Sequence, residues 1–392
     1  MKSGSRWIAA GGGLLISLDS VMNPAFPAIA AHFRLAPEQL RWVVVFYVAV
    51  YAVVSFVGGA VGDRVGHGRV FVTGVAGSAV AFVAGALAPT FGWLLAARVA
   101  QGLAGGLVYG TAPGIVMLAT PPGERGRALG FLAAGMGLGF ASAPLAAGAL
   151  LAALGWRSIF YVRVPLGLAL LGWALAALPR GRAHVGAPRL RAADFARGAV
   201  VHPGALAFLA NAGIFAIWLL APFYLVDRRG LDPVTAGLLF TLTPLGTALA
   251  APLAGRIVDA SGARLPVIGG LLLEGAGLAA LSQAGPVTPE PALGAALFAA
   301  GFGLGLFQVP NMAAVMAAFP AGQQGAAGGF SFFARTSGVV AGVIVLAEIF
   351  AARRAHAGFD AAFAEAYVVA AVVVAAAAAL AALRRRWPDR TA

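Results

Sequence analysis

Long apolar runs separated by short polar breaks fill this chain from end to end. A helix needs roughly twenty apolar residues to cross a bilayer, and twelve runs have that length. They cover 8–29, 42–61, 70–88, 93–117, 128–152 and 159–178, then 204–226, 233–256, 265–282, 292–318, 326–350 and 364–383. The runs are too long and too unalternating for barrel strands, and backbone groups in lipid must bond within their own segment. The pattern therefore predicts an all-α membrane protein with twelve transmembrane helices. Most connections are short, which sets sequential helices antiparallel. The longest polar stretch, about 179–203, is rich in Arg, Gly and Pro. It divides the chain into an N-terminal six-helix bundle (1–180), a cytoplasmic linker (181–203) and a C-terminal six-helix bundle with a short basic tail (204–392). The first run lacks a small-residue cleavage site and reads as a helix that stays in the membrane.

Composition sharpens this picture. Of 392 residues, 60% are hydrophobic and 10% charged, too few charges to cover a soluble surface. The net charge of +13 does not point to nucleic acid, because the arginines come in ones and twos with no basic stripe and no nucleic-acid motif. They set topology instead. With the N-terminus in the cytoplasm, 17 Lys and Arg fall in inner segments and 8 in outer ones, Arg163 among the latter. That asymmetry predicts a multi-pass protein of the cell (inner) membrane with both termini cytoplasmic. The chain has no cysteine, and its five histidines are scattered, so no metal site is expected. Lys2 is the only lysine, which excludes a P-loop and its ATP chemistry. No cofactor is expected, and the protein is expected to be a monomer.

A pattern G-x-x-x-D-x-x-G occurs twice. The first copy has Gly59, Asp63 and Gly66, and the second has Gly255, Asp259 and Gly262. The offset is 196 throughout (255 − 59, 259 − 63, 262 − 66), half the chain. Each copy follows the second helix of its half. Two copies in equivalent places indicate a parallel internal repeat, as in transporters with two related halves.

With these residues the chain resembles the major facilitator superfamily, and within it the drug:proton antiporter branch. The first loop motif of that family, G-x-L-A-D-R-x-G-R, is matched at Gly59, Asp63, Arg64, Gly66 and Arg69, with departures at His67 and Gly68. Its fourth-helix motif is matched by Leu95 to Gly102, with Arg98 and Gln101 inside. Its fifth-helix antiporter motif is matched at Gly139, Pro144 and Gly148, with alanine for two glycines at Ala143 and Ala147. Leu18-Asp19 through Asn23 and Pro27, Trp156 to Pro165, and Gly305 to Asn311 look like the same branch, although Arg163 stands where the family usually has Asn. The resemblance implies alternating access, with a cavity bordered by helices that carry Asn23, Tyr47, Trp218, Gln308, Asn311 and Arg335.

Several residues are candidates for chemistry. Asp19 lies near the middle of the first run, where an acid costs roughly 2.5–3.5 kcal/mol on insertion scales. It is the candidate proton site, with Arg98 and Gln101 as its network and a neutral, hydrogen-bonded structural Asp as the alternative. Gly59, Asp63, Arg64, Gly66, Arg69, Gly255, Asp259 and Gly262 are candidates for a cytoplasmic gate, an Asp near a helix end being able to latch through charge-assisted bonds. Pro144 with Gly139 and Gly148 is a packing device. Gly301, Gly303 and Gly305 imitate nucleotide-binding glycines, but they sit within an apolar run and read as helix packing. Glu274 is expected to be structural or lipid-facing, and Glu348 interfacial.

The expected function is export of a small hydrophobic compound, a drug or metabolite, in exchange for protons. Proton-coupled import on the same fold is the alternative. A membrane-embedded enzyme or sensor is a third reading, disfavoured by the lack of a nucleophile elbow or metal cluster. The expected partners are a small-molecule substrate, protons and the bilayer, with no nucleic acid.

Overall fold

Chain segments this apolar can satisfy their backbone only as helices, and the computed structural model is built of them. It describes residues 2–35, 41–178, 191–384 and 387, and side chains at some helical positions, Asn23, Pro144 and Gly148 among them, lie outside the description. The expected linker 181–203 falls partly outside it as well. Among the described residues there is no strand.

The first span is split. Helix α1 (Lys2–Ser17) passes through a 3₁₀ turn at Leu18–Val21 into α2 (Met22–Phe33). Pro24 lacks the N–H that would reach back to the Ser20 carbonyl. The Ser20 hydroxyl instead donates to the Ser17 and Phe140 carbonyls, each at 3.2 Å. The next spans are α3 (Arg41–Val65), α4 (His67–Ala86), α5 (Phe91–Ala119) and α6 (Arg125–Leu154). The sixth is made of a short α7 (Ser158–Tyr161) and α8 (Arg163–Ala177). After the short α9 (Ala192–Phe195) come α10 (Gly198–Phe223), α11 (Pro233–Ser261), α12 (Arg264–Ser282) and α13 (Glu290–Ala317). The final α14 (Gln324–Leu383) is interrupted by a non-helical backbone at Gly358 and so contains two spans. Among the described residues nine helical stretches meet the length and hydropathy of a membrane span, one of them this double helix. The split first span, α6 and the second half of α14 complete the twelve. Large exposed apolar side chains along them, such as Val53, Trp93, Leu168 and Leu272, face lipid.

The chain forms two compact units. Unit 1 contains residues 1–121, 135–191 and 318–333, and unit 2 contains 122–134, 192–317 and 334–392. The opening turns of α6 therefore belong with the second unit, and those of α14 with the first. In unit 1, α5 packs on α3 and α4. One part of the core there gathers Met22, Ile29, Trp156 and Phe160. In unit 2, α13 packs on α11 and α12 in the same way. Its core includes Leu271, Phe307, Phe363 and Tyr367.

Small residues let these helices meet backbone to backbone, which is how apolar helices gain contact where lipid offers no hydrophobic drive. A methyl group on Gly110 of α5 would strike the Ser55 carbonyl of α3, and one on Gly301 of α13 would strike the Thr243 carbonyl of α11. Hydroxyls tie the second pair: Thr243 donates to the Leu297 carbonyl at 3.1 Å and Thr247 to the Gly301 carbonyl at 2.8 Å. Gly269 of α12, by contrast, has open space where a methyl would sit. Gly301→Ala should thus cost about 1–3 kcal/mol through overpacking against backbone. Gly269→Ala should be neutral or stabilising by up to about 1 kcal/mol through helix propensity. Thermal unfolding of the two purified variants in detergent, compared with the parent, checks this contrast.

Candidate functional site

Asp19 sits at the 3₁₀ turn that splits the first span and is buried in unit 1. Four hydrogen bonds end on its carboxylate. Arg98 of α5 donates from Nη1 to Oδ1 at 2.6 Å and from Nη2 to Oδ2 at 2.7 Å. Gln101, one turn further along α5, donates to Oδ1 at 2.7 Å, and Arg163, the first residue of α8, donates from Nη1 to Oδ1 at 2.9 Å. Each arginine is also held from behind. Arg98 Nε donates to the Val43 carbonyl of α3 at 3.1 Å, and Arg163 Nε to the Ile159 carbonyl of α7 at 3.0 Å. The Arg98 guanidinium lies 4.2 Å from the centre of the Tyr47 ring, and that of Arg163 lies 4.5 Å from Phe82. The bidentate fork and the packed rings fix both cations where water is scarce, which is the condition under which a buried ion pair holds. Tyr47, Tyr51 and Tyr109 continue from the cluster as adjoining rings 5.7 and 5.2 Å apart, and Tyr109 shares a hydrogen bond of 2.7 Å with Ser17.

The structure thus brings together Asp19, Arg98, Gln101 and Tyr47 from the sequence candidates. It also corrects one reading. Arg163, counted among outer-facing arginines, is only 1% exposed and is a direct partner of Asp19.

A second polar chain lies in unit 2. Arg335 of α14 donates to Gln308 Oε1 of α13 at 3.2 Å, and Gln308 Nε2 is 3.4 Å from Asn211 Oδ1 of α10. Asn311, one turn on from Gln308, donates to the Pro203 carbonyl at 2.9 Å. Trp218 packs edge-on to Phe240 at 5.0 Å. Asn211 was not singled out from the sequence. Of the remaining acids, Glu274 is fully buried in α12 with no hydrogen-bond partner for either oxygen among the described residues, and Glu348 is exposed. The structure leaves the side chain of Asn23 undescribed.

The repeated glycine and aspartate positions have a shared geometry. Asp63, near the end of α3, accepts from the backbone N–H of Gly325 at 2.9 Å and of Ala326 at 2.8 Å, the second and third residues of α14. Asp259, near the end of α11, accepts from the N–H of Gly126 and of Arg127, both at 2.8 Å, the second and third residues of α6. Each carboxylate so caps the first turn of the fifth span of the other sequence half, where unpaired N–H groups and the helix dipole favour an anion. The glycines explain themselves in the same geometry. A methyl on Gly59 would meet the Gly325 carbonyl, and one on Gly255 the Gly126 carbonyl. Gly66 and Gly262 carry φ of 101° and 83°, a backbone that glycine alone adopts without strain. Gly126 and Gly325, the receiving residues, had not been identified from sequence; a glycine at the second position of each receiving helix was the available signal. Arg64 and Arg69 are exposed and form no ion pair among the described residues. His67 is buried, its Nε2 3.0 Å from Asp63 Oδ1. At the matching position the second copy has Ala263. Gly139 of α6 packs against the Leu14 carbonyl of α1, while the surroundings of Pro144 and Gly148 lie outside the description.

Comparison with known proteins places the chain in a family. The profile of the Major Facilitator Superfamily matches residues 8–343 and 204–392. The chain belongs to the Major Facilitator Superfamily. Among curated proteins it is similar to the riboflavin transporter RibZ of Clostridioides difficile (25% identical, covering 92% of this chain and 90% of that protein). It is also similar to the puromycin resistance protein pur8 of Streptomyces alboniger (30%, 85% and 78%) and to the tetracenomycin C resistance and export protein of Streptomyces glaucescens (27%, 87% and 74%). Among solved structures, the human organic anion transporter MFSD10 (TETRAN) superposes with a TM-score of 0.77 over 97% of this chain and 99% of that one, at 19% identity; that likeness is one of fold.

This member of the superfamily is a multi-pass membrane transporter of small molecules. Its cluster of one carboxylate and two guanidiniums makes a stability prediction. Asp19→Asn strands two buried arginines, and removing one partner of a buried ion pair costs roughly 3–5 kcal/mol. Adding Arg163→Asn to that variant removes one stranded charge. Unfolding midpoints should fall in Asp19→Asn and recover partly in the double variant, with a coupling on the order of 0.5–3 kcal/mol. Additive losses in a thermal double-mutant cycle would show that the three groups do not act as one cluster.

Proposed function

We propose that this chain exports a small hydrophobic compound across the cell membrane in exchange for protons, by alternating access. The observation that carries the reading is Asp19. It is an ionisable side chain at a helix break within the membrane, held by Arg98, Gln101 and Arg163, and its side chain is 12% exposed where those of the two arginines are 1–2% exposed. Intramembrane acids of this kind mark proton and substrate paths, and broken helices mark transporter sites. Export is supported by the puromycin and tetracenomycin C relatives, whose names describe resistance and, for the latter, export.

The coupling follows from the hydrogen bonds. Ionised Asp19 clamps α5 and α8 to the turn between α1 and α2. A proton arriving at its carboxylate removes the charge both guanidiniums are paired with and loosens that clamp. One charge crossing 100 mV yields about 2.3 kcal/mol, enough to hold a roughly fifty-fold gradient.

The capping pairs serve as latches. Asp63 on Gly325 and Ala326, and Asp259 on Gly126 and Arg127, fasten the start of one helix to the end of another with two charge-assisted bonds each. Such bonds are short in reach and break with small displacements, which suits a switch with two discrete arrangements. The excess of arginine in the inner segments supports cytoplasmic termini and a cytoplasmic position for both latches. The protein works as a monomer in this reading.

Purified protein in proteoliposomes, with a pH gradient and a panel of fluorescent compounds, tests the coupling. The parent should move compound against its gradient as protons flow the other way, and Asp19→Asn should abolish that movement. Undiminished gradient-driven transport by Asp19→Asn sinks the proton role, and movement of compound with the protons replaces export by uptake. For the latches, Asp63→Ala and Asp259→Ala should each lower turnover about ten-fold or more at normal membrane abundance. Wild-type turnover in both variants would remove the gating role.

A further inference from the structure

We propose that the Asp19 cluster is an anion site, and that the compound it receives carries a negatively charged group, a carboxylate, sulfonate or phosphate, which pairs with the buried, unpartnered Nη2 of Arg163. The proposal rests on the transport reading above and names the substrate class of the same site.

Charge is the first observation. Arginine stays protonated in proteins, so Arg98 and Arg163 bring two positive charges to one carboxylate. Among the described residues neither makes an ion pair with any acid besides Asp19. Among the described residues the cluster therefore keeps one uncompensated positive charge, and two whenever Asp19 takes a proton. A buried charge without a counter-charge is the arrangement proteins avoid unless something supplies the partner.

The second observation is a specific unpaired donor. Five of the six guanidinium nitrogens are accounted for: Nε, Nη1 and Nη2 of Arg98, and Nε and Nη1 of Arg163. Nη2 of Arg163 is buried and has no acceptor among the described residues. The Phe82 and Phe160 rings, 4.5 and 5.3 Å from the Arg163 guanidinium carbon, cover it but do not take that hydrogen bond. Buried donors are almost always satisfied, and an exception asks for a missing acceptor. An oxyanion fits, because its oxygens accept from a guanidinium edge with matched geometry.

Tyr47, Tyr51 and Tyr109 adjoin the cluster as buried rings. A cationic compound meets like charge here, and a neutral one leaves the Arg163 edge unpaired.

Binding can be measured apart from transport. Purified full-length protein in detergent, at fixed pH and ionic strength, is heated with benzenesulfonate, benzyl alcohol or benzyltrimethylammonium, which share a ring and differ in charge. The sulfonate should raise the unfolding midpoint by several degrees and the other two should not. Arg163→Gln should weaken sulfonate affinity ten-fold or more. Arg264→Gln, an exposed arginine, controls for net charge and should bind like the parent. Arg163→Lys keeps the charge but not the fork, and should bind more weakly than the parent even if the Gln variant does not fold. Equal or greater stabilisation by the neutral or cationic probe, no stabilisation by any probe, or an unchanged sulfonate response in a folded Arg163 variant overturns the proposal. The transport reading fails separately. If the sulfonate binds through Arg163 but no compound of any charge follows a pH gradient in proteoliposomes, proton exchange is wrong and the anion site stands. If neutral or cationic compounds are pumped and the sulfonate does not bind, the anion site is wrong and proton exchange stands.

Discussion

Lipid gives a polar group nothing to bond to, and most of this structure follows from that constraint. It forces the backbone into helices, and it withdraws the hydrophobic drive that would pack those helices in water. Contact must come from close fit and from polar groups that find each other. The glycine contacts of α5 with α3 and of α13 with α11 supply the fit. Several of the polar groups gather on three carboxylates. Asp19 collects four donors at one carboxylate, and the two capping carboxylates collect two backbone N–H groups each.

The same constraint explains why the repeated pattern is so short. A latch on a helix start needs a carboxylate, a backbone able to come close, and a turn that aims the carboxylate. The middle residue of G-x-x-x-D-x-x-G supplies the first, Gly59 and Gly255 the second, and Gly66 and Gly262, with positive φ, the third. Nothing else in those loops is required by the geometry. Arg64 and Arg69 point outward without an ion pair among the described residues. Two of the three fixed positions of the motif therefore matter for what they lack, a Cβ.

Hydropathy made the helices legible and left the joints obscure. The run 70–88 became His67–Ala86 and 93–117 became Phe91–Ala119, because a lipid-facing helix is written in composition. The break at Leu18–Val21 is not. It changes hydrogen-bond type without changing polarity, and only Pro24 hinted at it. Asp19 and Arg98 were legible as a pair, since each is an expensive charge within an apolar run. Arg163 was misread for an instructive reason. It stands at the junction of α7 and α8, close to the polar turn at Gly155–Arg157, and counting charges by segment assigned it to the outside. Its departure from the Asn usual in similar sequences was the available sign that it had another task. Gly126 and Gly325 escaped because a glycine in a glycine-rich membrane protein carries almost no information until its partner is known.

The halves agree in their capping carboxylates and disagree elsewhere. By the repeat offset Asp19 corresponds to Phe215 and Arg98 to Gly294, so the second half has no copy of the charged cluster. It has instead a neutral amide chain, Asn211 and Gln308, ending on Arg335. Even the caps are not identical, since His67 touches Asp63 and the second copy has Ala263 at the matching position. Capping a helix start requires only backbone and one carboxylate, so duplication can preserve it in both halves without cost to either. A buried charge cluster is different. Each copy would have to be paired and desolvated separately. The Asp19 cluster is thus confined to the first half, and the amide chain with Arg335 to the second.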